Sequence, residues 1–140
     1  MPLTLLVTEG VIPKNGHQET VAKLSETFLK LHGLTGNKFM TPNVIGHLVV
    51  SPESQSYAGG KPQSLAIVEV KVPAVAFQTA EVKRAFVGEI TDIIDQLKAG
   101  SHPRERTFVN VTYAVDGTWG IAGKAYSNAE MGEAIQHGAS

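Results

Sequence analysis

The sequence predicts an α/β protein in which two tandem βαβ repeats pair into one four-stranded mixed sheet, with both helices on one face. Three observations carry this expectation. The order strand, helix, strand occurs twice along the chain. The halves superpose at an offset of about 63 residues, which brings Gly60-Lys61 onto Gly123-Lys124 and His47 onto Asn110. Each half also carries one apolar stripe at helical spacing between two strand-like runs.

The elements follow in order. Leu3 to Val7 is a short apolar run that reads as a buried strand. Glu9, Gly10, Pro13, Asn15 and Gly16 make a loop. A helix is expected from about Gln18 to His32, because Val21, Leu24, Phe28 and Leu31 fall on one face and Gly33 is a natural stop. After a loop through Pro42, the β-branched run Val44 to Val50 reads as a strand, followed by a Ser-, Pro- and Gly-rich turn region ending at Gly59-Gly60. The pattern then restarts. Leu65 to Val72 is a strand closed by Pro73, and Thr79 caps a helix from about Ala80 to Lys98. Its buried stripe is expected at Val82, Phe86, Ile90, Ile93 and Leu97. Thr107 to Val115 is a strand and Asp116-Gly117 a turn. Ser127-Asn128-Ala129-Glu130 is a capping box opening a short helix towards Gln136.

The expected organisation is one domain over 1–126, made of repeats at about 2–63 and 64–126, followed by a short helix or tail over 127–140. Crossover helices join parallel strands by right-handed connections and cover one face of the sheet. The other face is then expected to be apolar and to be covered by copies of the same chain in a closed oligomer. The same element order also describes the ferredoxin-like superfold, which periodicity alone does not separate.

Composition excludes several function classes. At 42% hydrophobic and 18% charged, the chain is in the range of folded globular proteins rather than disordered ones. A net charge of -1 offers no basic excess for phosphate, so no nucleic-acid partner is expected. The absence of cysteine excludes thiol catalysis, disulfides and thiolate metal sites. His17, His32, His47, His102 and His137 show no metal-ligand spacing, so no metal is expected. His47, in a β-branched run, reads as a hydrogen-bonded structural histidine. Gly117 to Lys124 misses the spacing of a phosphate loop by one residue, and Ala125 stands where Ser or Thr is required. The apolar start is interrupted at Glu9 and Gly10 and lacks a basic lead, so a soluble, cytoplasmic protein with no membrane segment is expected.

A proline directly after the initiator methionine opens the first strand. The run Pro2-Leu3-Thr4-Leu5-Leu6-Val7-Thr8-Glu9-Gly10 resembles the amino-terminal pattern of the tautomerase superfamily. Trp119-Gly120-Ile121-Ala122-Gly123-Lys124 resembles the aromatic-Gly-Ile-Gly-Gly hairpin of the short 4-oxalocrotonate tautomerases. Tyr57-Ala58-Gly59-Gly60 and Arg106-Thr107-Phe108-Val109-Asn110-Val111 resemble pieces of the macrophage migration inhibitory factor branch. The resemblance covers about Pro2 to Tyr126. It implies a fused, two-repeat member: a homotrimer without cofactor, acting on a small-molecule carboxylate through the terminal amine of Pro2. Only the first repeat can bear that amine, because Leu65 occupies the matching place in the second.

A mature amino-terminal proline carries a secondary amine, and an unperturbed α-amino group titrates near ~8. Burial or a nearby cation lowers that value, which makes the amine a general base at neutral pH. A keto–enol tautomerase is the expected activity. An amine that stays protonated would serve instead as the acid of a decarboxylase, hydratase or dehalogenase, and a non-catalytic oligomeric binding protein is the third alternative. Antiparallel pairing of the repeats would set the start of the first strand beside the end of the third. That places Pro2 near Lys71 and Val72. Related decarboxylases carry arginines in this region, so Lys71 is the first candidate for substrate carboxylate binding. Lys38 resembles a lysine of the migration inhibitory factor branch. Asn110 matches an asparagine that this branch supplies from a neighbouring subunit, and Phe108 stands where it has tyrosine. Val11 and Ile12 replace the arginine that follows Glu-Gly in the short tautomerases. A lysine binds a carboxylate as a point charge rather than a fork, so a small monoacid is expected rather than a diacid.

Overall fold

Alternation along the first strand sets the architecture. In β1 (Pro2–Thr8), Leu3, Leu5 and Val7 are buried, while Pro2, Thr4 and Leu6 between them are half-buried. A period of two puts these sets on opposite faces. The structure, a computed structural model, describes residues 1–139. β1 pairs in parallel with β2 (Ile45–Ser51) and antiparallel with β5 (Ala66–Pro73), and β5 pairs in parallel with β6 (Thr107–Ala114). The order β2-β1-β5-β6 is therefore two βαβ units joined along β1 and β5 in one mixed sheet.

Leu3, Leu5 and Val7 of β1 and Val68, Val70 and Val72 of β5 form the floor of the core. Two helices lie over it: α1 (His17–Leu31) and α2 (Ala80–Leu97). α1 presents Leu24 and Phe28 fully, with Val21 and Leu31 on the flanks. In α2 the fully buried residues are Phe86, Ile90 and Ile94. Ile94 replaces the expected Ile93 at the centre because a straight row at four-residue spacing faces the sheet; Val82, Ile93 and Leu97 pack half-buried beside it. Each fully buried apolar side chain contributes about 1.5–3 kcal/mol. α1 comes so close to β2 that a Cβ on Gly46 would run into the Val21 side chain.

The opposite face is not uniformly apolar, which corrects the expectation above. Strand register places Val49, Leu6, Ile67 and Phe108 in one row across it. His47, Thr4, Glu69 and Asn110 form the next row. Apolar surface is concentrated at one end and at Ile45, which is 55% exposed.

Two small hairpins repeat the same turn. β3 (Tyr57–Ala58) and β4 (Lys61–Pro62) are joined by Gly59 and Gly60, at φ of 57° and 77°. β7 (Trp119–Ile121) and β8 (Lys124–Tyr126) are joined by Ala122 and Gly123, at φ of 50° and 83°. Two successive left-handed residues match the twist of the flanking strands. The chain then enters α3 (Asn128–Gly138). The Ser127 side chain accepts from the Glu130 N–H at 3.2 Å, and the Glu130 carboxylate accepts from the Ser127 N–H at 2.9 Å. Met131 of α3 is buried. Of the tail expected over 127–140, residue 140 lies outside the described residues.

Candidate active site

Strand directions bring four segments to one pole. Parallel strands start at the same end, so β1 and β2 both begin there; β5 and β6 both finish there. Pro2 pairs with Ile45, and the antiparallel register continues from Leu3 opposite Val70 to set Pro2 against Lys71. A cavity of about 520 Å³ opens at this point, within the range of small-molecule sites. Met1, Pro2, Asn43, Ile45, Lys71, Ala114 and the β7 residues Trp119 to Ile121 line it. A larger hollow of about 800 Å³ lies between α1 and α2, away from this pole. Its lysines and carboxylates face one another, with Lys30 to Glu89 at 2.7 Å, so it presents no concentration of one charge.

Met1 is 6% exposed, with its side chain in the core. Its carbonyl accepts from the Ile45 N–H at 3.1 Å, and its terminal ammonium donates to the Asn43 carbonyl. Burial penalises the charged form and pushes this ammonium down to about 6. With Met1 in place the Pro2 nitrogen is a tertiary amide without a proton. Removal of Met1 would leave the secondary amine of Pro2 at the same pole, beside an unpaired Ile45 N–H. Lys71 is exposed on the open face, and among the described residues no carboxylate lies within ion-pair distance of it.

The hairpin wall is held by its own turn and by α3. The Asp116 carboxylate accepts from the Asn128 N–H at 2.7 Å, and the Tyr126 ring lies 5.9 Å from that of Phe39. Trp119 is half-buried against the core.

Of the residues singled out from sequence, Pro2 and Lys71 meet in the cavity. Lys38, Asn110 and Phe108 do not line it. Lys38 is exposed in the loop after α1, and its backbone N–H donates to the Gly138 carbonyl at 2.7 Å. Asn110 and Phe108 lie on the open face of β6, and Phe108 is 43% exposed. Asn43, Ile45, Ile121 and the pocket-lining role of Trp119 were not read from the sequence. The signal available for the first two was parallel pairing, which must bring the start of the second strand beside Pro2.

The matching pole of the second repeat is closed. Thr8 is 2% exposed; its hydroxyl donates to Ser56 Oγ at 2.8 Å and accepts from the Leu65 N–H at 2.8 Å. His102 is also buried there, between the Ser64 hydroxyl at 2.8 Å and the Thr107 hydroxyl at 3.1 Å. The chain therefore opens at the Pro2 pole and is sealed by hydrogen bonds at the pseudo-symmetric counterpart.

No family model matches the chain, and no curated protein matches it by sequence. Solved structures do. A fused 4-OT wild-type symmetric trimer superposes with a TM-score of 0.74 at 16% identity, covering 94% of this chain and 99% of that one. A macrophage migration inhibitory factor homologue from Prochlorococcus marinus gives 0.69 at 15% identity, covering 91% and 100%. The FG41 malonate semialdehyde decarboxylase inhibited by 3-bromopropiolate gives 0.67 at 14% identity, covering 95% and 97%. Identities this low establish shape. The chain has the fold of the tautomerase superfamily, with Pro2 opening its first strand.

Proposed function

We propose that this protein is a cofactor-independent keto–enol tautomerase acting on a small 2-keto or otherwise enolisable carboxylic acid, with Pro2 as general base after removal of Met1. The observation that carries this reading is the cavity that Pro2 and Lys71 share at a pole where burial desolvates the amino terminus. In this structure burial lowers the Met1 ammonium to about 6; the same pole, desolvating the Pro2 amine once Met1 is removed, would favour the neutral form a general base requires.

The chemistry follows from the lining. The Pro2 amine takes a proton from the carbon next to the carbonyl and returns it at the other end of the enol system. Lys71 binds the substrate carboxylate. The Ile45 N–H, freed of its Met1 partner, is a donor for charge growing on the enolate oxygen. Trp119 and Ile121 take the apolar body of the substrate. One cation suits a monoacid. The reading includes a homotrimer, which would cover the exposed Ile45, Val49 and Phe108. It keeps Lys38, Asn110 and Phe108 as substrate contacts brought by neighbouring protomers, since none lines the pocket of its own.

The test begins with the intact mass of the purified protein, which is expected to lack one methionine. Ketonisation of phenylenolpyruvate and 2-hydroxymuconate is then followed for wild type and Pro2→Ala. Wild type is expected to exceed the buffer rate and Pro2→Ala to lose about 100-fold or more. Equal rates for both at the buffer level would sink the tautomerase. An NMR titration placing the Pro2 amine well above neutrality would transfer the reading to the acid-catalysed reactions. Failure of small electrophiles to label Pro2 would leave a binding protein.

A further inference from the structure

The last turn of a helix leaves four carbonyls without intrahelical partners. In α3 the C-cap Ala139 N–H reaches the Ile135 and Gln136 carbonyls at 3.1 Å, and the loop that follows α1 adds one donor to Ile135 and one to Gly138. The Ile135 carbonyl accepts from Asn37 Nδ2 at 2.9 Å, and the Gly138 carbonyl accepts from the Lys38 N–H at 2.7 Å. Asn37 is 7% exposed and uses both ends of its amide. Its oxygen accepts from the Phe39 N–H at 3.1 Å and the Met40 N–H at 2.8 Å. One side chain thus holds the end of α3 with its nitrogen and a tight turn with its oxygen.

That turn runs directly into the pocket. The Asn43 N–H and Val44 N–H both donate to the Met40 carbonyl at 2.9 Å. Asn43 Nδ2 donates to the Phe39 carbonyl at 2.8 Å, and the Asn43 carbonyl accepts from the terminal ammonium. The packing has no slack at the α3 end. A Cβ on Gly138 would lie 2.6 Å from Asn37 Oδ1 and 2.7 Å from the Phe39 nitrogen. Asn37 itself does not line the pocket.

We propose that Asn37 is a positioning residue of the amino-terminal site, coupling the docking of α3 to the placement of Asn43 and hence to the surroundings of the terminal amine. The inference deepens the tautomerase reading, in which Met1 is removed and the terminal amine is that of Pro2, which lines the same pocket as Asn43. Its test reads the amine rather than turnover. When the Asn37 tie breaks, the 39–43 turn loosens and water reaches the pole. Desolvation of the Pro2 amine weakens, which favours its charged form and raises its pKa.

Asn37→Asp separates the two jobs of the side chain. It keeps an oxygen for Phe39 and Met40 but sets an acceptor against the Ile135 carbonyl. Gly138→Ala disturbs the same contact from α3 and adds no charge. Ser127→Ala removes the cap at the far end of α3 and leaves the clamp intact. Lys71 is the ionisable side chain that lines the pocket among the described residues, and none of these substitutions touches it.

The experiment is an NMR titration of the terminal amine in the full-length variants, with far-UV circular dichroism to show that each is folded. Asn37→Asp and Gly138→Ala are each expected to raise the amine's pKa by about 0.5 or more, roughly a threefold change in its proton affinity. Ser127→Ala is expected to leave it unchanged. An unshifted amine in folded Gly138→Ala, or an equal shift in Ser127→Ala, would overturn the proposal. If Asn37→Asp does not fold, Gly138→Ala decides. A protein with no tautomerase turnover but a shifted amine would retain this inference and lose the activity; the reverse result would do the opposite.

Discussion

His32 Nε2 accepts a hydrogen bond from the backbone N–H of Phe77 at 3.1 Å, while its Nδ1 donates to the Phe28 carbonyl at 2.8 Å. An N–H on one side and a carbonyl on the other select a single neutral tautomer. The ring stacks on Phe28 at 4.3 Å and meets Phe77 edge-on at 4.6 Å. Phe77 is held at a φ of 52°, a left-handed conformation costing roughly 1–2 kcal/mol for a residue with a Cβ. His32 therefore anchors the strained turn between β5 and α2, and it does so uncharged.

A pH dependence of stability follows. Burial lowers the His32 pKa, and its bond to the Phe28 carbonyl only partly offsets this. His102 is lowered as well, first by burial and then by Lys98. Below an ordinary histidine value of about 6.5 the unfolded chain takes up protons that the folded chain resists. The contribution of these two histidines should be complete above that pH and fall as pH drops from there through their lowered folded values. Urea midpoints between pH 8 and pH 5 test this. His32→Ala should cost roughly 2–3 kcal/mol at pH 8 and make the acid decline shallower.

Lys71 should matter to turnover and hardly at all to folding. It is exposed and has no carboxylate partner among the described residues. Lys71→Ala is expected to lower kcat/KM for an acidic substrate by about 10–100-fold, the worth of one charged hydrogen bond. Stability should stay within about 0.5 kcal/mol of wild type. Lys71→Arg should keep most of the activity. Kinetics alongside thermal melts separate the two effects.

The sealed pole should be costly to open. Thr8→Val keeps the shape of the side chain but strands the Leu65 N–H and removes the donor to Ser56. Two buried groups losing their partner should cost about 2–4 kcal/mol. Chemical denaturation measures the loss, and unchanged stability would mean that water already serves this pole.

Gly46→Ala tests the closeness of α1 to β2. The added methyl would displace Val21 or push the helix off the sheet. A loss of about 1–3 kcal/mol is expected, as for other overpacked cores. Val21→Ala in the same chain should recover part of it, by giving the methyl the space it needs.

Periodicity, caps and repeats made most of the fold legible. The helix expected from Ala80 to Lys98 is found at Ala80–Leu97, because the Thr79 side chain accepts from the Val82 N–H at 3.1 Å. The capping box at Ser127 and Glu130 forms as written in the sequence. These are local signals, complete within one or two turns of chain. That Pro2 and Lys71 line one pocket was also within reach, because it needs only the assumption that the two repeats pair antiparallel. The expectation of an apolar open face went astray at His47, Glu69 and Asn110, since a pattern of period two states which residues share a face and not how each row is shared out across strands.

What the sequence by itself determined was the element order, the two-fold repeat, the faces of the helices and the terminal proline as the residue to watch. The tertiary structure decided which strand ends meet. It placed Asn43, Ile45 and Trp119 around the Pro2 cavity, sealed Thr8 at the opposite pole and set Asn37 against the end of α3. The physical reason is the range of the interactions. Helix and turn preferences are settled among residues a few positions apart. A pocket lining and a buried amide clamp depend on hydrogen-bond partners and packing between distant segments, whose match exists only once the sheet register has brought them together.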